Sequence, residues 1–164
     1  MATTLMTDTT RDLIHMSDRA KACAKSTAQT IEALYELHLW DWKTGENPDP
    51  MTEEAAEILQ DLLCSHGEIT EHNAPSAIAG WAREMPLSVT YEDGIFEILL
   101  RTGVPALRCT GTLFQGEPDW RAGCRPDLQW QDWFQPWTVS DYPVNTDALM
   151  WFCCLFHFSG PDCD

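Results

Sequence analysis

Two groups of cysteine and histidine stand close enough along the chain to share a metal ion. One is Cys64, His66 and His72; the other is Cys153, Cys154, His157 and Cys163. Zinc accepts both ligand types, usually with about two to four residues between the first two ligands. The C-x-H and C-C-x2-H arrangements found here are not knuckles of that kind. The second group also lies in apolar sequence, where cysteine behaves as a small hydrophobe. A Cys64 nucleophile activated by His66 or His72 would need a lowered thiol pKa, and the acidic residues around it favour the neutral thiol instead. Glu53, Glu57 and Asp61 recur every four residues and have the chemistry of an acid–base pair or a cation ligand, but they fall on a face predicted to be exposed. Trp120, Trp130, Trp133 and Trp137 resemble a base-stacking platform, yet such platforms need a basic groove beside them. Core packing, loop anchoring or a protein interface suits them better. There is no P-loop, G-x-S-x-G, H-E-x-x-H or G-x-G-x-x-G. The expectation is a protein without catalytic residues, bound metal or cofactor.

The elements that must position these residues begin with a sheet between Met85 and Thr138. Four segments alternate apolar and polar residues: PLSVTY, GIFEILLRTG, PALRCTGTL and LQWQDW. Alternate side chains on a strand point to opposite faces, so each segment offers one dry face and one wet face. Turn residues separate them at Asp93-Gly94, at Gly103 with Pro105, and at Gly116-Glu117-Pro118. The predicted fold is α+β: a four-stranded antiparallel meander covered by helices, with an N-terminal helical region. Residues 1–82 form that helical region, and residues 83–164 form the sheet plus a C-terminal helix, in one continuous domain.

Residues 10–40 read as helix, with Leu13, Ile14, Met16, Ala20, Cys23, Ala28, Ile31, Leu34, Tyr35, Leu37 and His38 at helical spacing. Ser26-Thr27 is a candidate break within it. The Pro48-Asp49-Pro50 loop follows. Thr52 caps a second helix with Glu53 and Glu54 in its first turn, a dry stripe of Ala55, Ile58, Leu59, Leu62 and Leu63, and Gly67 at its end. Ile69–Trp81 reads as a short helix interrupted near Pro75. Phe134-Gln135-Pro136-Trp137 reads as a loop with aromatic anchors. Asn145 caps a last helix that is apolar nearly all round and is expected across the dry face of the sheet, a fifth strand being the alternative.

At 164 residues with 44% hydrophobic content, the chain is long enough for a substantial core. No apolar run approaches the roughly 18 residues of a membrane span, and no signal peptide is recognisable. Seven cysteines, an odd number in a chain of this length, point to reduced thiols and a cytoplasmic setting. The net charge is −16, and residues 44–82 carry eight acids with no Lys or Arg while residues 126–164 carry six more with none. Fourteen of the sixteen excess charges therefore lie in two blocks. Such a protein repels nucleic acid and anionic membranes and is drawn to basic surfaces, although a solvated acidic surface alone also serves solubility. Taken alone, these residues mark a small acidic globular protein and nothing narrower.

One stretch adds more. The run FEILLRTGVPALRCTGTL, then GEP, then LQWQDWFQPWT, then a terminal FHF, resembles small proteins from phages and prophages of proteobacteria, mostly of unassigned function. Their pattern is an E-I-L-L-x-T-G-G-P-A segment, a Q-D-W-x-x-P-W-T segment and a terminal F-x-F. The resemblance covers roughly residues 85–158 and is most specific from Gln131 to Thr138. Val104 stands where the pattern has a second glycine, which puts the hairpin between the second and third strands in question.

A phage setting implies an inhibitor of host defence, with an anti-CRISPR protein as its concrete form. Some such proteins resemble DNA in charge and occupy a groove lined with Lys and Arg. The residues expected to do so are Glu46, Asp49, Glu53, Glu54, Glu57, Asp61, Glu68 and Glu71. The partner is then a host protein or nucleoprotein complex with a basic surface, and the chain itself binds neither nucleic acid nor membrane. Two alternatives are a small metal- or thiol-dependent phage enzyme and a regulatory or virion-associated protein binding through the Trp133–Trp137 loop.

Overall fold

A computed structural model describes residues 8–133 and 135–158, with side chains from residue 17 onward. The chain runs α1 (Asp8–Leu39), α2 (Glu53–His66), α3 (Ala74–Arg83), β1 (Ser88–Glu92), β2 (Ile95–Arg101), β3 (Ala106–Phe114), β4 (Glu117–Pro118), β5 (Asp127–Gln131), β6 (Thr138–Val139) and α4 (Thr146–Cys153). The class is α+β. The sheet is antiparallel but has six strands, in the order β1-β2-β3-β5-β6 with β4 paired beside β3. Alternation alone predicts four, because β4 and β6 are two residues each and too short to carry an alternating pattern.

Asp93 and Gly94 both take positive φ, at 53° and 77°, and close the β1–β2 hairpin as a two-residue turn. The β3–β4 turn falls one residue earlier than expected, on Gln115-Gly116, also both at positive φ. Glu117-Pro118 is thereby already paired, with Pro118 opposite Leu113. Val104 does not prevent the β2–β3 hairpin, which pairs from Ile95↔Thr112 to Arg101↔Leu107 with one irregularity between Leu99 and Arg101.

One face of the sheet is dry. Phe96, Ile98, Cys109 and Leu128 are buried there against Ile31, Leu34 and Leu37 of α1 and Phe152 and Cys153 of α4. Phe158, just beyond α4, lays its ring 4.7 Å from that of Phe96. The apolar last helix does cover the sheet, as its composition required; it is a helix and not a fifth strand. Toward the other end of α1, Ala20 and Ala24 pack on Leu107 and Trp130, small residues that let the helix approach β5 closely. Candidates Leu13, Ile14 and Met16 lie outside the described side chains. α1 continues through Ser26-Thr27 without a break, and the Thr30 hydroxyl donates back to the Ser26 carbonyl at 3.1 Å.

Thr52 caps α2 by accepting from Ala55 N, and Gly67 ends it at φ +74. Its buried residues are Ala55, Ile58 and Leu62, while Leu63 turns outward at 39% exposure. α3 starts at Ala74, with Pro75 in its first turn. There the missing N–H costs nothing, so Pro75 begins this helix instead of interrupting one from Ile69.

Candidate functional site: an acidic helix and the cleft beside it

All eight acids of the 44–82 block are exposed. α2 presents Glu53, Glu57 and Asp61 on the side opposite Ala55, Ile58 and Leu62, as helical spacing dictates. Glu54 adjoins them in the first turn, Glu46 and Asp49 lie in the loop before α2, and Glu68 and Glu71 follow it. Among the described residues none of the eight pairs with a lysine or arginine; Glu71 meets only His72, at 3.4 Å. Four carboxylates of the second acidic block are arranged differently. Asp132 is buried and accepts from Trp133 N at 2.8 Å, Asp141 pairs with Lys21 at 3.6 Å, and Asp127, although exposed, is partly desolvated where it enters β5, which pushes its carboxyl up. Asp147 sits exposed in the first turn of α4. Exposed acids without a paired lysine or arginine also occur elsewhere among the described residues, including Glu84, Glu92, Asp93, Glu117, Asp127 and Asp147, but eight fall within residues 46–71, on α2 and its flanks.

A cleft of about 390 Å³ opens next to this surface, between the C-terminal turns of α1, the 47–50 loop and the start of α4. Glu32, Glu36 and Asp49 line it together with Tyr35, Trp40 and Pro48. A smaller hollow shares Glu32 and Glu36 and adds Glu54, so the cleft and the α2 surface adjoin. Hydrogen bonds hold the walls in place. Glu32 accepts from the Tyr142 hydroxyl at 2.6 Å and from Asn145 N at 3.1 Å, and Glu36 accepts from Thr52 N at 3.0 Å. The loop is pinned by Asp41, whose carboxylate accepts from Lys43 N, Thr44 N and the Thr44 hydroxyl. Those bonds hold the Asp41 carboxyl below its ordinary range. Asn47 Oδ1 accepts from Asp41 N at 2.9 Å, while its buried Nδ2 finds no acceptor among the described residues.

Glu32 and Glu36 escape a sequence reading because residues 1–43 are nearly charge-balanced. A signal was nonetheless present: two acids four apart near the C-terminal end of a helix oppose its dipole and call for an explanation.

The other candidates are dispersed. Cys64, His66 and His72 are exposed, Cys153 is buried while Cys154 and His157 are exposed, and Cys163 lies outside the described residues. Among the described residues no three His, Cys, Asp or Glu side chains are placed to hold a metal ion. The Cys153 thiol is buried against Cys109, and desolvation pushes it well up, the reverse of nucleophile activation. All six described cysteines are free of disulfides. The tryptophans form no common platform: Trp130 faces the core, whereas Trp137 lies across the sheet beneath the Arg108 guanidinium, 4.2 Å from its ring centre. Arg108 in turn donates to Glu97 at 2.8 Å and Gln129 at 2.9 Å, so it offers no free cation to a phosphate. Trp120 and Trp133 are about half exposed, and Phe134 lies outside the described residues. No helix among the described residues is long and apolar enough to cross a membrane. Set against known proteins, the chain matches no family model, no curated protein and no solved structure.

Proposed function

We propose that this protein acts by binding, as a phage-encoded inhibitor that occupies a basic nucleic-acid-binding surface of a host defence complex, in the manner of a DNA-mimicking anti-CRISPR protein. The observation that carries this reading is the exposure of eight carboxylates over residues 46–71 with no lysine or arginine paired to them among the described residues. Exposed helices ordinarily intersperse both signs, which gains a few tenths of a kcal/mol per pair. Here that gain is forgone along the whole of α2. The phage setting rests on the local resemblance within residues 85–158.

Magnitude decides how much of the surface is needed. Glu53, Glu57 and Asp61 supply one charge per roughly 6 Å of helix axis. A single DNA strand carries one per about 3.4 Å. The α2 row alone therefore underfills a groove built for phosphates. Glu54 and the flanking Glu46, Asp49, Glu68 and Glu71 must contribute, presented on a segment that is already ordered and loses little entropy on binding. The protein works in the host cytoplasm, needs no cofactor and does not itself contact nucleic acid.

The test is capture of the tagged protein's partner from a host lysate with its defence systems intact, at low and high salt. A CRISPR or restriction complex should be retained at low salt, released as salt screens the charges, and lost with a variant carrying Glu53→Gln, Glu54→Gln, Glu57→Gln and Asp61→Asn. Retention unchanged by that variant would sink the reading.

A further inference from the structure

We infer that the cleft between α1, the 47–50 loop and α4 receives an arginine side chain of the partner. This rests on the reading above, that the partner presents a basic surface, and it adds a specific anchor to a diffuse attraction.

Three features of the cleft point to arginine. Its lining holds three carboxylates, Glu32, Glu36 and Asp49, and no lysine, arginine or histidine. Most of the remaining lining is aromatic or apolar, with Tyr35 and Trp40 foremost, beside the two amides of Asn47 and Asn145. A guanidinium is planar, weakly hydrated and able to stack on aromatic surface while donating to carboxylates. An ammonium, compact and strongly hydrated, would lose more on entering such walls. The cleft is also built before any partner arrives. Glu32 is fixed by Tyr142 and Asn145, Glu36 by Thr52 N, and the loop by Asp41 and Asn47. Of the two α1 carboxylates, Glu32 has both oxygens engaged within the protein, whereas Glu36 accepts through Oε2 and, among the described residues, has Oε1 open to an incoming donor. Distributed surface charge steers a partner, and a filled pocket at the centre of a contact fixes its register and slows its release.

The experiment uses the full chain and N-acetyl-arginine amide as probe, read by the NMR shift of the Trp40 indole N–H. A saturable shift is expected, with affinity on the order of millimolar for so small a ligand. The neutral isostere N-acetyl-citrulline amide should produce none. Glu36→Gln, which can still accept from Thr52 N, should weaken arginine binding at least five-fold, and Trp40→Ala should weaken capture of the partner by a similar factor with unchanged circular dichroism. An equal response to citrulline, no saturable response, or equal affinity for N-acetyl-lysine amide would overturn the assignment. The α2 variant described above should leave the arginine response intact. If capture fails in that variant while arginine amide binds neither chain, the cleft is wrong and the acidic surface stands; if arginine binds but no partner is captured, the reverse holds.

Discussion

The Tyr142 hydroxyl donates to Glu32 Oε1 at 2.6 Å, joining residues 110 positions apart, while Glu32 Oε2 accepts from Asn145 N. One carboxylate on α1 thus fastens the segment that leads into α4. The bond favours the neutral phenol, and Tyr142 is raised above its ordinary value of 10, first through the Glu32 hydrogen bond and then by desolvation. A group whose folded pKa is raised contributes stability that is present below its unfolded pKa and lost as pH climbs through the folded one. Tyr142→Phe should therefore cost about 1 kcal/mol at neutral pH, and the difference from wild type should shrink above pH 10. Urea unfolding at pH 7 and above pH 10 measures both, and a constant difference would show that the phenol proton is not involved.

Asp119 behaves with the opposite sign. Arg121 grips it in a bidentate pair, with Nε at 3.0 and 3.1 Å from the two oxygens and Nη2 at 2.7 Å from Oδ2, and it also accepts from Arg121 N at 2.9 Å. These bonds hold its carboxyl down to about 2 from an ordinary 3.8. A depressed pKa contributes stability above the unfolded value that is lost as pH falls through the folded one. Carbon-detected NMR should find the Asp119 carboxyl still ionised at pH 3. Asp119→Asn should unfold more readily at neutral pH, with less additional loss between pH 4 and pH 2 than wild type suffers. Titration near 3.8 would disprove the pairing.

Gly111 sits opposite Phe96 across the β2–β3 ladder, and a methyl there would lie 3.0 Å from the Phe96 ring and 3.1 Å from the Pro126 Cα. The ring is fully buried between that glycine and Phe158, so it has little room to retreat, and the proline contact is backbone. Overpacking of this kind costs about 1–3 kcal/mol. Gly111→Ala should lower the urea midpoint accordingly, whereas the same change at Gly80, where nothing lies within 4 Å, should not.

How much of this could be read from the sequence depends on the range of the interaction. Phe96, Ile98, Cys109 and Leu128 announce their shared face by period-two alternation, and Thr52 and Asn145 announce their caps, because both signals are local. β6 is invisible in the same way that β4 is: two residues pair only because Trp130 and Gln129 are already in place to receive them. The acidic stripe of α2 is equally local and was legible. The cleft is not, since Glu36 meets Thr52 N and Glu32 meets Asn145 N only after α1, the loop and α4 have packed. Pairings across 16 and 113 residues alike leave no periodic trace in either partner.

The exposed acids of α2 allow a prediction in which stability and binding move in opposite directions. Glu57 lies between Glu53 and Asp61, four residues from each, and faces no cation among the described residues. Glu57→Lys replaces two like-charge neighbours with two opposite-charge ones, each change contributing a few tenths of a kcal/mol, so the protein should gain roughly 0.5–1 kcal/mol. If the row exists to meet a basic surface, the same substitution places a like charge in the middle of the contact, and retention of the partner at low salt should fall at least ten-fold. Urea unfolding and lysate capture on the one variant read the two effects separately. A more stable protein that binds as before would mean that α2 carries its charge for solubility. A more stable protein that no longer binds would mean that the helix gives up stability for recognition.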